Sequence, residues 1–277
     1  MNIRENFAEG RFYSDNKDEI IKIFDDAIAR EVNNIDYSLA DKFIIGGVVP
    51  HAGHIYCSTQ AIHFFEIIKR SKQVFDVVVI VNPNHHGGGL PASIDEHDYW
   101  KSPLGTIEVD QELANYIELP EDSLSQAYEH SAEVIIPYIQ YFMPKSTKIL
   151  PVSFGAQSRE NARVLAHAIY KACVVLNRRA LFIASSDFNH FATPEKGKSL
   201  DDYALEALLK YDCTTFDERV KEKNISICGY GAIMSLFYFS KDVARHFKIK
   251  ILKQGHSGEV AQMDTVVDYV SMLFYKD

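Results

Sequence analysis

The sequence predicts a single α/β domain built on a central mixed, largely parallel sheet that is flanked by helices. The chain has 277 residues and is 47% hydrophobic, which is enough for a large buried core. Strand-like runs alternate with amphipathic helical segments, and the early runs are apolar at every position. Such runs are typical of parallel strands that are buried on both faces. No internal repeat or obvious linker divides residues 1–277, so we expect one domain.

The predicted elements follow in order along the chain. A helix is predicted over residues 18–32, where apolar residues recur at helical spacing. The apolar run 42–49 predicts the first strand, and Ser58 is expected to cap the helix that follows. The later elements are strands over 74–81, 148–154 and 180–185, helices over 158–176 and near 200–210, and strands over 247–253 and 265–275.

Composition argues against several classes of protein. A net charge of −9 disfavours nucleic-acid binding, which needs clustered Lys and Arg. Four cysteines without CxxC spacing do not indicate a disulfide scaffold or a zinc knuckle. The polar N-terminus is unlike a signal peptide, and no apolar run reaches the roughly 18 residues that span a bilayer. We therefore expect a soluble, cytoplasmic protein.

Histidines follow three of the predicted strands. The segments after these strands are "PHAGH" (50–54), "NPNHHGGG" (82–89) and "SSDFNH" (185–190). Ligands of doubly wound sheets bind beyond the carboxyl ends of the strands, where these loops meet. A single loop histidine is more often structural, but histidines at three strand ends favour a metal site. The glycines Gly87 to Gly89 do not form a phosphate-binding loop.

Cys228 lies before Gly229-Tyr230-Gly231 and a predicted apolar helix. A helix N-terminus lowers the pKa of a thiol and so favours the thiolate, which binds metals or attacks carbon. A small buried hydrophobic residue is the alternative interpretation. Two histidines and one cysteine would make an open site suited to Zn, Fe or Cu.

Two acidic segments could support such a site. Asp187 lies three residues before His190 and either orients an imidazole or forms a turn. If residues 129–142 are helical, Glu129 and Glu133 share a face, where capping and solvation explain them best. His130 beside them would at most support a ligand.

Eight segments in order resemble the Memo family, also known as AmmeMemoRadiSam system protein B, over nearly the whole chain. They are "VVPHAGHIYCS", "NPNHHGGG", "SPLGTIEVD", "EHSAEVIIPY", "ILPVSFG", "ASSDFNHF", "ISICGYGAI" and "SGEVAQMDTVVDYVSMLFY". The resemblance implies a fold similar to class III nonheme-iron extradiol dioxygenases. It also implies a metal at His51, His85 and Cys228, with Asp187 and His190 in the same pocket. Those dioxygenases bind iron with two histidines and a glutamate, and a cysteine in place of the glutamate shifts the preference toward softer ions.

The chain departs from the usual family pattern at three positions near these motifs. His54 stands in place of Tyr, Asn82 in place of Gly and Ala232 in place of Pro. None of the three removes an expected ligand. His54 is expected to add a ligand or a hydrogen bond, and His54, His86, Ser186 and His130 are expected in or around the pocket. Animal members of the family are described as cell-motility effectors that bind copper or iron, and microbial members often accompany radical-SAM and AMMECR-type proteins as partners.

Three functions remain open from the sequence. The first is a metal-dependent, dioxygenase-like oxidoreductase acting on a small substrate, with His190 as general acid or base and Asp187 fixing its tautomer. The second is a metal-free hydrolase in which Cys228 attacks and His190 or His85 acts as base. The third is a metal- or protein-binding scaffold without turnover.

Overall fold

The computed structural model describes residues 2–277, and Met1, with which the predicted domain begins, lies outside them. The strands are β1 (Phe43–Val49), β2 (Val77–Pro83), β3 (Ala92–Ile94), β4 (Tyr99–Ser102), β5 (Gly105–Glu108), β6 (Lys148–Phe154), β7 (Ala180–Ser185), β8 (His190–Ala192), β9 (Lys248–His256) and β10 (Val266–Lys276). The helices are α1 (Lys17–Glu31), α2 (His54–Arg70), α3 (Gln111–Ile117), α4 (Leu124–Ala127), α5 (Ile136–Phe142), α6 (Arg159–Val175), α7 (Pro194–Leu209), α8 (Cys213–Glu222) and α9 (Tyr230–Val243). Short 3₁₀ helices span Tyr37–Asp41, Glu133–Ile135 and Ser257–Glu259.

The central sheet is mixed. Its order is β3-β6-β2-β7-β1-β10-β8, with β9 also paired to β10, and β4 pairs with β5 in a separate hairpin. The strands β6, β2, β7 and β1 are parallel to one another. The strands β3, β8, β9 and β10 each pair antiparallel. The prediction of a largely parallel sheet therefore holds for its centre, whereas both edges are antiparallel.

Helices cover both faces of this sheet, and two glycines in β1 let them approach closely. Neighbouring residues of a strand face opposite sides. A Cβ added at Gly46 would lie 2.9 Å from Leu236 in α9, and one at Gly47 would lie 2.4 Å from Phe64 in α2. The two helices therefore press on opposite faces of β1, at positions where even alanine would not fit.

Most predicted elements are confirmed, with two corrections. Ser58 does not cap α2, because the helix already begins at His54, and the buried Ser58 hydroxyl instead bonds Tyr138 at 2.6 Å. Residues 129–142 are not one helix, since a 3₁₀ turn and the short α5 replace it. Pro137, near the start of α5, fits a first helical turn but not a helix interior. Glu129 and Glu133 consequently do not share a helix face.

None of the helices within residues 2–277 is long and apolar enough to cross a membrane.

Candidate metal centre

Loops that follow three adjacent parallel strands form the candidate site. His51 follows β1, His85 follows β2 and Ser186-Asp187 follow β7, which lies between those two strands. The parallel register aligns Val49 with Ser185, so the strands end at one edge. The arrangement expected for ligand sites of α/β sheets is therefore present.

The side chains of His51, His85 and Cys228 converge. Their ligand atoms lie within 4.8 Å of one another, and Cys228 Sγ is 3.2 Å from His51 Nε2. The two imidazole rings are nearly perpendicular, at an interplanar angle of 81°. His51 is buried and Cys228 half-buried, whereas 30% of the His85 side chain is exposed. The cluster is therefore reached from the side of His85.

A neutral hydrogen-bond chain fixes the tautomer of His51. Ser185 Oγ donates to the carbonyl oxygen of Ser131 at 2.6 Å, so at 2.8 Å it accepts the proton of His51 Nδ1. Nε2 is left with a free lone pair that faces Cys228. Burial, followed by the charges of His85, His130 and His190, holds the pKa of His51 well below its usual range. The imidazole is thus neutral, as a metal ligand must be.

A carboxylate orients His85. Glu129, fully buried, accepts from His85 Nδ1 at 2.9 Å and from the His85 backbone N–H at 2.6 Å. Burial would raise the pKa of Glu129, but the hydrogen bond and charge of His85 outweigh it and hold the pKa at about 2. Metal-bound histidines commonly donate their second N–H to such a carboxylate, and this geometry would leave Nε2 of His85 available to a metal ion.

Glu129 is therefore a site residue that sequence reasoning missed by treating it as solvated. The sequence signal for it is weak, because "EHS" shows only a charged residue shortly before the apolar run 134–139. His85, Glu129 and His130 also form a second group of ligand atoms within 4.8 Å. Its carboxylate is already engaged, because Glu129 Oε1 also accepts from the backbone N–H and hydroxyl of Ser131.

The thiol of Cys228 differs from the expectation. It precedes Gly229, the N-cap of α9, and its sulfur accepts the backbone N–H of Asp187 at 3.2 Å. Burial, with the negative charge of Asp187, nevertheless raises the pKa of Cys228. The prediction of a pKa lowered by the helix is wrong for the protein without metal, because desolvation outweighs the helix dipole. A bound cation would favour the thiolate.

His190 and Asp187 lie beside the cluster but do not bond each other. His190 Nδ1 donates to the carbonyl oxygen of Ser226 at 2.8 Å, so this carbonyl, not Asp187, fixes its tautomer. Asp187 Oδ1 instead accepts the backbone N–H of His51 at 2.8 Å. Burial raises the pKa of Asp187 to about 6, although the charge of His190 and the N–H of His51 oppose the shift.

Three of the four remaining predicted pocket residues, His130, Ser186 and His86, have different roles. His130 stacks on His85 and, at a ring-centroid distance of 4.1 Å, on Phe12. Ser186 Oγ accepts the backbone N–H of Gly229 and so holds the turn after Cys228. His86 is exposed and packs edge-on against Phe7.

His54 lies outside the cluster, in the core. Its Nε2 donates to the carbonyl oxygen of Val134 at 3.0 Å, and its ring packs against Tyr13, Phe24 and Tyr138. It is fully buried and belongs to neither group of potential metal ligands. Of the two roles expected for it, the structure supports the hydrogen bond.

Comparisons with known proteins concern the whole chain and not the site itself. The family model for Memo-like proteins matches residues 4–273. A MEMO1 family protein of Methanosarcina mazei is 33% identical over 281 residues, which cover 99% of each chain. One of Pyrobaculum aerophilum is 34% identical over the full length of both. The crystal structure of an uncharacterized protein from Escherichia coli K12 shares the fold, with a TM-score of 0.50 at 12% identity, over 76% of this chain and 91% of that one.

Proposed function

The chain belongs to the Memo-like protein family, and on this premise we propose that it holds one metal ion and uses it as an oxidoreductase acting on a small substrate. The proposed ligands are Nε2 of His51, Nε2 of His85 and Sγ of Cys228. Fe or Cu suits two imidazoles and a thiolate best, and Zn is also compatible.

The convergence of these three donors carries the proposal. They come from three separate loops, yet their ligand atoms lie within 4.8 Å of one another. Both imidazoles have their Nδ1 protons engaged, so Nε2 is the atom that each would present to a metal. Although burial opposes the shift, Glu129 raises the pKa of His85, so metal binding there would release the proton of its Nε2. Among residues 2–277, no fourth His, Cys, Asp or Glu joins this group, which leaves coordination positions for water or substrate.

A metal here would supply Lewis acidity and, as Fe or Cu, one-electron chemistry. The chain's own residues supply the rest. Ser226 holds the proton of His190 on Nδ1, so Nε2 is free to take a proton from substrate and return it. Asp187 fixes the backbone of the proposed ligand His51, and burial holds the pKa of its carboxyl at about 6, above the usual range.

Metal content tests the proposal. We expect nearly one Fe, Cu or Zn per chain in protein purified without tag or chelator, and its loss in His51→Ala, His85→Ala and Cys228→Ala. His167→Ala is the matched control, because this histidine also pairs with a carboxylate, Asp242, but lies on the exposed face of α6. Metal-loaded protein is then screened for oxygen uptake with small substrates. A wild type that takes up no Fe(II), Cu(I) or Zn(II) on reconstitution would refute the metal centre.

One contact favours a second candidate, a metal-free hydrolase with Cys228 as nucleophile. Cys228 Sγ lies 3.2 Å from His51 Nε2, as in a Cys–His pair. Against it, burial raises the pKa of Cys228 and lowers the pKa of His51, so neither ion of such a pair is favoured. Iodoacetamide separates the two: a hydrolase is inactivated with or without chelator, whereas a bound metal protects the thiol from alkylation.

A further inference from the structure

A buried arginine from the N-terminal arm (residues 2–13) binds the segment that carries Glu129, here called the Glu129 loop (residues 126–133, from the end of α4 to the 3₁₀ turn). Arg4 is only 2% exposed, and its guanidinium lies 4.2 Å from the centre of the Trp100 ring. Burying an arginine is costly unless its donors are satisfied. Here acceptors from the loop satisfy them.

The guanidinium joins three points of that loop. Nη2 donates to the carbonyl oxygens of Gln126 and Glu129, at 2.6 and 2.9 Å, and Nε also donates to Gln126 at 3.2 Å. Nη1 donates to the carboxylate of Glu133 at 2.6 Å. The fork therefore spans the loop on both sides of Glu129, a geometry that the single ammonium of lysine does not reproduce.

The end of β2 also binds this loop, through the side chain of Asn82. Asn82 Oδ1 accepts from the side-chain amide of Gln126 at 3.0 Å, and Asn82 Nδ2 donates to Ser131 Oγ at 3.2 Å. Glu129 thus sits between the strand that leads to His85 and the arm that carries Arg4.

We propose that Arg4 is a positioning residue of the metal centre, acting on His85 through Glu129. The backbone carbonyl of Glu129 is bound by Arg4, while its carboxylate receives two hydrogen bonds from His85. Without the fork, only Ser131 and His85 itself hold the carboxylate, so its position and the orientation of the His85 ring become less well defined. The inference rests on the proposed metal centre, since it needs His85 to be a ligand.

Cobalt(II) titration of metal-free protein tests this inference. Arg4→Met is expected to weaken Co(II) binding roughly 3- to 10-fold, somewhat less than loss of the carboxylate partner itself, and to shift the visible Co(II) absorption bands. Arg4→Lys is expected to fall between Arg4→Met and wild type. Arg178→Met is the matched control, because Arg178 also donates to two acidic side chains, Asp110 and Glu112. It precedes β7, whereas the site lies beyond the other end of that strand.

A double variant distinguishes positioning from general stability. If Arg4 acts through Glu129, adding Arg4→Met to Glu129→Gln weakens Co(II) binding no further. Additive losses, or wild-type affinity and spectrum in Arg4→Met, would overturn the inference. Should Arg4→Met fail to fold by circular dichroism, Arg4→Lys and Glu133→Gln carry the same test. A wild type that binds no Co(II) refutes the metal centre itself and this inference with it, whereas unchanged binding in the Arg4 variants refutes this inference alone.

Discussion

The two candidate ligand histidines are held by chemically different partners. His51 donates to the hydroxyl of Ser185, which in turn donates to the backbone carbonyl of Ser131. His85 instead donates to the ionised carboxylate of Glu129. A carboxylate partner makes an imidazole a more basic ligand than a neutral partner does. His85, the more accessible of the two, would therefore also be the stronger ligand for a metal.

Replacing Glu129 by Gln is expected to weaken metal affinity about 10- to 100-fold, because the carboxylate orients His85 and increases its basicity. Competition with a chromophoric chelator measures the effect. Glu31→Gln is the control, since Glu31 likewise bonds a buried histidine, His63, at 3.0 Å but outside the centre. Equal affinity in wild type and Glu129→Gln would show that the carboxylate does not support a ligand.

His54 is expected to affect acid stability and not metal content. Burial lowers the pKa of His54 to about 4, against about 6.5 in an unfolded chain. The folded state thus binds fewer protons between these values, and stability present above about pH 6.5 is lost as pH falls toward 4. His54→Phe removes this contribution, so we expect full metal content and a shallower acid loss in urea unfolding of the metal-free protein. Lost metal would instead make His54 part of the centre.

The convergence of the candidate ligands could be expected from the sequence, whereas their hydrogen-bond partners could not. His51 and His85 come directly after buried strands, so local pattern alone places them at the sheet edge. Glu129 is 44 residues from His85 in sequence, and Ser226 is 36 residues from His190. Pairing at such distances depends on how loops pack. His51 and His54 look alike in sequence, and both are buried. Because α2 begins at His54, however, its side chain packs among core aromatic residues and away from the candidate site.

At the level of elements, the strand β10 explains why the sheet is mixed. It is buried along nearly its whole length and lies between β1 and β9, so its pattern resembles that of a central parallel strand. Periodicity reports burial on both faces but not strand direction. The prediction therefore identified the strand and could not give its orientation.

The contact between α7 and β10 contains two buried carboxyls, Asp201 and Asp268. Burial, together with the charge of Asp268, raises the pKa of Asp201 to about 9 from its ordinary 3.8. The folded state binds more protons across this range, so stability present below about pH 3.8 is lost as pH rises through about 9. The pKa of Asp268 is shifted in the same direction, to about 6.

Replacing Asp201 by Asn is therefore expected to flatten the fall in stability with rising pH and to leave the protein at least as stable near pH 8. Unfolding of metal-free protein by urea at several pH values measures it. Asp36→Asn is the control, because Asp36 is partly exposed, pairs with Lys250 and has no part in the pKa shift of Asp201. Parallel pH profiles for wild type and Asp201→Asn would show that Asp201 and Asp268 do not cause the loss of stability with rising pH.

At the scale of the whole molecule, the metal centre would join loops from β1 and β2 to the start of α9. A ligand that binds only the folded chain stabilises it by about 2.7 kcal/mol at a hundred times its dissociation constant. For a domain of this size that corresponds to a rise in Tm of roughly 5 °C. We expect Co(II) or Zn(II) to produce this rise in wild type and a chelator to reverse it. His51→Ala should show no rise, and His167→Ala should show the full one. Equal rises in wild type and His51→Ala would mean that the metal stabilises the chain from another site, because binding at the proposed centre cannot survive loss of its most buried ligand.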